Sequence, residues 1–293
     1  MNNVADIGRR PVLGRIPVLD SYRLGTITGR KTPNKVTTTV MVGTAHRHDI
    51  RTGCICTVSY PVSGDPNNIS GIQVQERLAM HGRETTGLNA LLISHDHTDH
   101  ARNMGIYHRK LGLPVYVTAK TYRAASRYRL GEIGDLNHFI AGETLRFGKV
   151  VVETISTPHD GVDGVVFVVD DGHHRLGILT DLGHVFNDLE AVIGSLDAVL
   201  LESNYDPDML ANGDYPDWLK ERIEGPGGHI SNLESAELLR TSGSKRMKWA
   251  CLGHLSHDNN TPDLALETHR KILGKRLPVY LATRYEPSDV MEV

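Results

Sequence analysis

The chain has 293 residues, of which 39% are hydrophobic and 23% are charged, and its formal net charge is −3. This ordinary globular composition excludes a collagen-like, low-complexity or coiled-coil chain. No apolar run approaches the roughly 18 residues of a membrane-spanning helix, and none of signal-peptide length precedes the first charges. Three cysteines give no disulfide framework. We therefore expect a cytoplasmic protein.

The predicted elements alternate between strands and helices after an irregular start. Residues 1–33 are rich in glycine, proline and arginine, which predicts a poorly ordered or irregular N-terminal segment. The predicted strands cover 35–42, 54–60, 88–94, 114–117, 150–157, 164–170, 175–181, 197–203, 247–254 and 278–283. The predicted helices cover 72–82, 101–111, 118–130, 261–273 and a stretch that opens with the capping box Ser231 and Glu234 and runs through Arg240. This order favours one α/β domain over residues 34–293.

A histidine-rich loop follows the predicted strand 88–94 directly. Its sequence is His95-Asp96-His97-Thr98-Asp99-His100, and imidazole and carboxylate groups are ligands of zinc, manganese and iron. Two metal ions need more ligands than this loop holds. Open α/β sheets place their sites at the carboxyl ends of strands. The further candidate ligands at such positions are His159, Asp181 and His254.

These seven residues resemble the signature of the metallo-β-lactamase-fold hydrolases. The motif H-x-H-x-D-H is present as His95, His97, Asp99 and His100, and the later single ligands are present as His159, Asp181 and His254. The stretches LTDLG at 179–183, LESNYDPDML at 201–210, GHISN at 228–232 and GHLSHDNNTPDLAL at 253–266 are similar to the YycJ/WalJ branch. That branch consists of exonucleases acting on DNA. The resemblance covers about residues 69–285 and implies the four-layer αβ/βα sandwich of the metallo-β-lactamase fold.

The beginning of the chain departs from the pattern of this branch. The branch opens with a strand, an S-G-S-x-G-N turn and a second strand that ends in D-A-G-x-S-G. Only Ile69, Ser70 and Gly71 match the end of that pattern, while residues 34–68 diverge from it. Either this segment is genuinely divergent or the gene has a reading-frame error there.

The resemblance also implies the cofactors and the roles of the ligands. Two divalent ions, zinc or manganese, are expected. One would be bound by His95, His97 and His159, the other by Asp99, His100 and His254, with Asp181 bridging both. A hydroxide between the ions would attack phosphorus. The expected catalytic residues are Asp99, His229 and His254. Asp99 would orient the hydroxide, and His229 would stabilise or protonate the departing oxygen.

A basic strip follows the histidine loop. Residues 101–130 contain no Asp or Glu, but they contain seven Lys or Arg residues with tyrosines between them. This composition suits a polyanion with unpaired bases, although a solvated helix face with core tyrosines explains it equally well. The residues expected to contact substrate are Arg123 and Arg127 in the strip and Ser231 and Asn232 at the start of the capped helix.

The sequence thus predicts a metal-dependent phosphodiesterase and, more narrowly, a 5′-to-3′ DNA exonuclease. Its expected partner is nucleic acid, with DNA favoured over RNA, and no membrane association is expected. The oligomeric state stays open. A small-molecule hydrolase of the same fold, acting on a thioester, lactone or cyclic phosphodiester, is the alternative. A non-catalytic metal-binding or regulatory protein is a second alternative, which the complete ligand set disfavours.

Overall fold

The strands of the protein form two sheets in the residues that the computed structural model describes, which are 39–44, 53–58, 71–282 and 288–293. The first sheet contains β1 (Thr39–Thr44), β2 (Gly53–Val58), β3 (Leu88–Leu92), β4 (Val115–Thr118) and β5 (Leu136–Phe139). The second sheet contains β6 (Thr144–Phe147), β7 (Val150–Ser156), β8 (Val165–Asp170), β9 (Arg175–Leu179), β10 (Ala198–Glu202), β11 (Trp249–Gly253) and β12 (Val279–Leu281). The helices are α1 (Gly71–Met80), α2 (Thr98–Ala101), α3 (Met104–Leu111), α4 (Ala119–Ala125), α5 (Asn187–Ser195), α6 (Pro207–Asn212), α7 (Asp217–Glu224), α8 (Asn232–Ser242) and α9 (Pro262–Leu273).

Each sheet combines parallel and antiparallel strands. The order in the first sheet is β2-β1-β3-β4-β5, with antiparallel pairing around β1 and parallel pairing from β3 to β5. The order in the second sheet is β12-β11-β10-β9-β8-β7-β6, with parallel pairing from β12 to β9 and antiparallel pairing from β9 to β6. Two reversals separate β7 from β9, so these strands run in the same direction and end at the same edge.

Alternating side chains divide the core into layers. Leu92 of β3 packs with Phe167 and Leu200 of the second sheet, so this cluster fills the space between the sheets. The neighbouring residue Leu91 belongs to a cluster with α1 and α3, and Leu201 belongs to one with α5 and α8. Because successive strand residues point to opposite faces, each sheet is covered by helices on its outer face. This arrangement confirms the predicted αβ/βα sandwich.

The first hairpin lies inside the divergent segment. β1 pairs antiparallel with β2, and it also pairs antiparallel with β3, which places the hairpin at the edge of the first sheet. The strands predicted at 35–42 and 54–60 are therefore found at Thr39–Thr44 and Gly53–Val58. The irregular segment expected at 1–33 lies outside the described residues.

The longer predicted elements are present, while several short ones were missed. The helix predicted at 101–111 is α2 followed by α3, and the one at 118–130 ends at Ala125 and continues as a 3₁₀ turn to Tyr128. The elements that the pattern missed are β5, β6, α5, α6 and α7. They span four to nine residues, which is too short for a periodic pattern to stand out.

No helix in the described part of the chain is long and apolar enough to cross a membrane. The cytoplasmic location stays a prediction.

Candidate metal centre

The candidate ligands follow the ends of strands, five of them in loops and two, Asp99 and His100, in the short helix α2. His95, His97, Asp99 and His100 come after β3, His159 after β7, Asp181 after β9 and His254 after β11. Asp181 and His254 adopt left-handed backbone conformations, with φ of 62° and 57°. This conformation costs an L-residue about 1–2 kcal/mol, and such strain is concentrated at functional sites. The sharp turns end each strand and direct the side chain toward the cluster.

The structure brings all seven predicted ligands together. His95, His97 and His159 form a first ligand group, and Asp99, His100 and His254 form a second; in each group the candidate donor atoms lie within 4.8 Å of one another. That these residues bind metal stays a prediction, but their convergence is a feature of the fold.

The carboxylate of Asp181 lies between the two ligand groups. Its Oδ1 is 4.0 Å from Nε2 of His95, 3.7 Å from Nε2 of His159 and 3.3 Å from Nε2 of His254. Its Oδ2 is 3.4 Å from Nε2 of His100. Tetrahedral bonds of about 2.0–2.1 Å place ligand atoms roughly 3.4 Å apart, so these spacings fit a shared metal ligand.

Buried atoms without partners support the same interpretation. Nε2 of His95, Nε2 of His100 and Oδ2 of Asp181 are buried and have no hydrogen-bond partner. Leaving a buried polar atom unsatisfied costs about 1–3 kcal/mol, and these three atoms face the same small space. A divalent cation would satisfy all of them, so the residues present fit the metal that the donor set predicts.

The other ring nitrogens are held by the protein. Oγ of Ser94 lies 3.1 Å from Nδ1 of His95 and 2.9 Å from Nδ1 of His100, and its two lone pairs can accept from both rings. Nδ1 of His159 donates to the carbonyl of Gly228 at 2.8 Å. A ring that donates from Nδ1 presents a bare Nε2, so these contacts select the ligating tautomer.

His97 has the opposite orientation. Its Nε2 is 3.0 Å from Oδ1 of Asp160, while its Nδ1 is 3.2 Å from Nε2 of His159. If Nε2 donates to Asp160, the bare nitrogen that faces the ligand group is Nδ1. Asp160 is itself held by Nε of Arg222 at 2.6 Å. The sequence prediction missed Asp160, although it directly follows the predicted ligand His159.

Burial and charge set the protonation of the cluster. Burial lowers the pKa of His95 and of His100, and it lowers the pKa of His159 to about 4, so these rings are neutral, as metal ligands must be. Burial also acts to lower the pKa of His254, but the carboxylates of Asp181 and Glu202 outweigh it and raise the pKa to about 9. Burial acts to raise the pKa of Asp181, but His254 and the other histidines hold it well below the ordinary value.

Glu202 is a central residue that the sequence prediction missed. It is fully buried at the end of β10, and its Oε1 is 2.8 Å from Nδ1 of His229 and 2.6 Å from Nδ1 of His254. Its Oε2 accepts the backbone N–H of Leu182 at 2.8 Å. Glu202 therefore orients both rings at once. An acidic residue ending the apolar run AVLLE was the available signal.

The predicted substrate residues occupy different environments. Arg123 is exposed, whereas Arg127 donates from Nη1 to Oδ2 of Asp96 at 2.7 Å and supports the histidine loop. Oγ of Ser231 caps α8, and the amide of Asn232 is fully buried, with bonds to Ser203 and Asn260. The polar side-chain atoms of Ser231 and Asn232 form hydrogen bonds within the protein, and their contact with substrate stays a prediction.

The basic strip is partly structural. All seven basic residues of the strip are exposed: Arg102, Arg109, Lys110, Lys120, Arg123, Arg127 and Arg129. However, Arg109 donates to the carbonyls of Leu130 and Glu132, and Lys120 pairs with Asp163. Tyr107, one of the tyrosines between these basic residues, is a core residue, because its ring is buried below α3.

Comparisons with known proteins agree on the kind of fold. A family model described as the beta-lactamase superfamily domain matches residues 67–250. Exodeoxyribonuclease WalJ of Streptococcus pneumoniae serotype 2 strain D39 is 35% identical over 202 residues, which are 67% of this chain and 74% of that protein. Exodeoxyribonuclease YycJ of Bacillus anthracis is 32% identical over 191 residues, which are 64% of this chain and 72% of that protein.

Solved structures extend the likeness at the level of the fold. The metallo-β-lactamase fold protein YhfI of Bacillus subtilis has a TM-score of 0.56 at 18% identity, covering 88% of this chain and 99% of that chain. Zn²⁺-bound PqqB of Methylobacterium extorquens has a TM-score of 0.53 at 19% identity, covering 74% of this chain and 79% of that chain.

Replacement of Asp181 tests its central place in the metal site. We expect Asp181→Asn to lower the divalent metal bound per chain by at least half, because an amide donates less charge to a cation than a carboxylate does. Asparagine tolerates the left-handed conformation, so the circular dichroism spectrum should be unchanged. Metal content is measured by elemental mass spectrometry. Asp163→Asn is the matched control, because Asp163 has φ of 56° and belongs to neither ligand group. Full metal content in Asp181→Asn would contradict the assignment.

Replacement of Glu202 tests whether it positions His254. Glu202→Gln keeps the shape of the side chain but replaces one acceptor oxygen by an NH₂ donor. This donor must face either the backbone N–H of Leu182 or the Nδ1–H groups of His229 and His254, so at least one hydrogen bond is lost. We expect metal affinity to fall about 10- to 100-fold, as for other residues that orient metal ligands. Titration of the metal-free chain with Co²⁺, followed by its visible spectrum, gives this affinity. The control is Glu190→Gln on the exposed face of α5. Equal Co²⁺ affinity in both variants would refute the role.

Proposed function

The chain belongs to the metallo-β-lactamase superfamily, and on that premise we propose that it is a metal-dependent phosphodiesterase that degrades DNA from a 5′ end. The observation that carries the proposal is the pair of ligand groups around one buried carboxylate. Hydrolysis of a phosphodiester with two metal ions requires such an arrangement. The names of the two curated relatives support DNA as the substrate.

The proposal assigns two divalent ions, zinc or manganese, to the site. When bound, they would lower the pKa of a water molecule toward about 7 and offset charge on the phosphate oxygens. His95, His97 and His159 would hold one ion, and Asp99, His100 and His254 the other. Asp181 would contact both, because its Oδ1 lies 3.7 Å from Nε2 of His159 in the first group and 3.3 Å from Nε2 of His254 in the second.

Other residues of the site would handle protons. Asp99 is partly exposed at the mouth of the site, where its carboxylate can orient the attacking water. His229 is buried, and its ring centroid lies 5.0 Å from that of His159 and 5.1 Å from that of His254. Because Glu202 binds Nδ1 of His229, Nε2 is left to face the reacting phosphate. An imidazole held in this way can donate a proton to the departing oxygen.

The surface next to the histidine loop supports a polyanionic substrate. Arg102, Lys110, Arg123 and Arg129 are exposed within a stretch that contains no acidic residue between 101 and 130. Lysine and arginine side chains that contact phosphates release counterions, which favours binding of nucleic acid. This surface would hold the DNA backbone while one phosphate enters the metal site.

Digestion of a 5′-labelled linear duplex with Mn²⁺ tests the activity. We expect the wild type to release the label progressively and His97→Ala to release it at least about 100-fold more slowly, because a metal ligand is lost. His97 is half-buried, so the alanine variant leaves no large core cavity. Equal release by both proteins would attribute the activity to a contaminant. A wild type that binds metal but releases no label would favour the small-molecule hydrolase.

Charge reversal at Arg123 tests the basic surface. We expect Arg123→Glu to weaken DNA binding and to reduce the slope of log K against log salt by about 1, the contribution of one phosphate contact. Arg127 is left intact because it supports Asp96. The control Lys271→Glu makes the same charge change in the last turn of α9. DNA binding is measured by fluorescence anisotropy over a series of salt concentrations. Affinity and salt dependence equal to the wild type in both variants would contradict the role of Arg123.

A further inference from the structure

The segment that contains α6 and α7 is tethered to two of the ligand-bearing loops. The hydroxyl of Tyr215 donates to Oδ2 of Asp258 at 2.9 Å, and Asp258 lies in the loop that begins with His254. Arg222 donates to Asp160, which directly follows His159. The residues between these tethers are therefore held beside the metal centre.

Helix α7 has a buried face and a second face turned toward the site. Leu219 and Ile223 lie one turn apart and pack with Tyr205 and Leu210. Trp218 and Arg222 form the adjacent stripe, because residues four apart lie on the same side of a helix, about 6 Å along its axis. Arg222 contacts Asp160, whose Oδ1 is 3.0 Å from Nε2 of the ligand His97. Trp218 thus lies one helical turn from Arg222, on the side of α7 from which Arg222 reaches Asp160.

The indole of Trp218 is mostly in solvent. The residue is 66% exposed, although its neighbours Leu219 and Ile223 are packed into the protein. Tryptophan gains more from covering its faces than any other side chain, and it is enriched where proteins bind ligands. An exposed indole on a firmly tethered helix offers a rigid flat surface for another planar group.

The charges around Trp218 restrict what that group can be. The exposed acidic residues of the segment are Asp208, Asp214, Asp217, Glu221 and Glu224. These carboxylates outnumber the two basic residues of α7, Lys220 and Arg222, so the charge of this helix disfavours a nucleic-acid backbone along it. The basic strip meets the histidine loop at a different place, through Arg127 and Asp96. A strand whose phosphates follow the strip can still turn one base toward Trp218, because stacking does not require charge.

We propose that Trp218 stacks on the unpaired base of the terminal nucleotide of the DNA strand being degraded. This inference rests on the proposed function and adds a contact that selects the terminal nucleotide of the strand for cleavage. A terminal base can leave its duplex partner at the cost of one stacking step. Trp218 would offset that cost and hold the nucleotide next to the metal centre for cleavage. The residue would act through substrate binding, so its loss should raise KM more than it lowers kcat.

Intrinsic fluorescence can report the contact, because the chain has two tryptophans in different environments. Trp249 is buried, and its Nε1 donates to the carbonyl of Glu292 at 2.8 Å. The difference between the wild type and Trp218→Phe therefore isolates the emission of Trp218. The probe is a 12-nucleotide single strand with phosphorothioate ends, added to the Mn²⁺-loaded full chain. We expect saturable quenching of Trp218 by this strand and much weaker quenching by the same strand with an abasic terminal nucleotide.

Variants give the matching kinetic test. We expect Trp218→Ala to raise KM for a single-stranded oligonucleotide roughly 10-fold, the usual effect of losing one base stack, with kcat changed less than about twofold. Trp218→Phe keeps an aromatic face, so its KM should lie close to that of the wild type. Tyr280→Ala, which removes an exposed aromatic ring from the edge strand β12, is the control and should match the wild type.

The outcomes separate this inference from the proposed function. If the wild type degrades DNA but Trp218→Ala has an unchanged KM, or the abasic strand quenches equally, the stacking role is refuted and the nuclease stands. If the wild type degrades no DNA but its Trp218 emission is quenched by the intact strand alone, the stacking role stands and the nuclease falls. If neither cleavage nor quenching occurs, both are overturned.

Discussion

The buried carboxylate of Asp181 is the group around which the candidate metal ligands are arranged. It is 2% exposed, and burying an unpaired anion is costly unless nearby groups compensate its charge. Nε2 atoms of His95, His100, His159 and His254 surround it at 3.3–4.0 Å. Because its own Oδ2 and two of the facing atoms, Nε2 of His95 and Nε2 of His100, lack hydrogen-bond partners, the protein alone does not complete this compensation. A cation would complete it, and the strained turn at Asp181 directs the carboxylate to that position.

Groups next to the histidines fix the ring tautomers that the candidate ligands need. Ser94, the carbonyl of Gly228 and Glu202 each bind the nitrogen that should not face the metal. Gly161 allows the loop after β7 to close on His95, since a Cβ there would lie 2.5 Å from the Cδ2 atom of that ring. These groups belong to different strands and loops, so a ligand position depends on the whole sandwich. Their effects should be coupled rather than additive.

Charge near the site is divided between two surfaces, one basic and one acidic. The basic strip includes internal contacts, since Arg127 supports Asp96 and Arg109 binds the carbonyls of Leu130 and Glu132. The segment of α6 and α7 is acidic, but it carries the exposed Trp218. If the protein degrades DNA as proposed, phosphate and base would be bound at different places, because one requires positive charge and the other a flat apolar face.

The sequence by itself determined the α/β class and the positions of the seven candidate ligands, while the layered sandwich was implied by the resemblance to the metallo-β-lactamase-fold hydrolases. Both depend on local patterns: alternating apolar runs, and polar residues directly after strands such as β3 and β11. Only the tertiary structure decided the roles of Glu202, Asp160 and Asn232. Glu202 meets His254 52 residues away, and Asp160 meets Arg222 62 residues away. No local pattern specifies such pairings, because they form only when elements that are distant in the sequence pack together, such as β10 with β11 and helix α7 with the loop after β7.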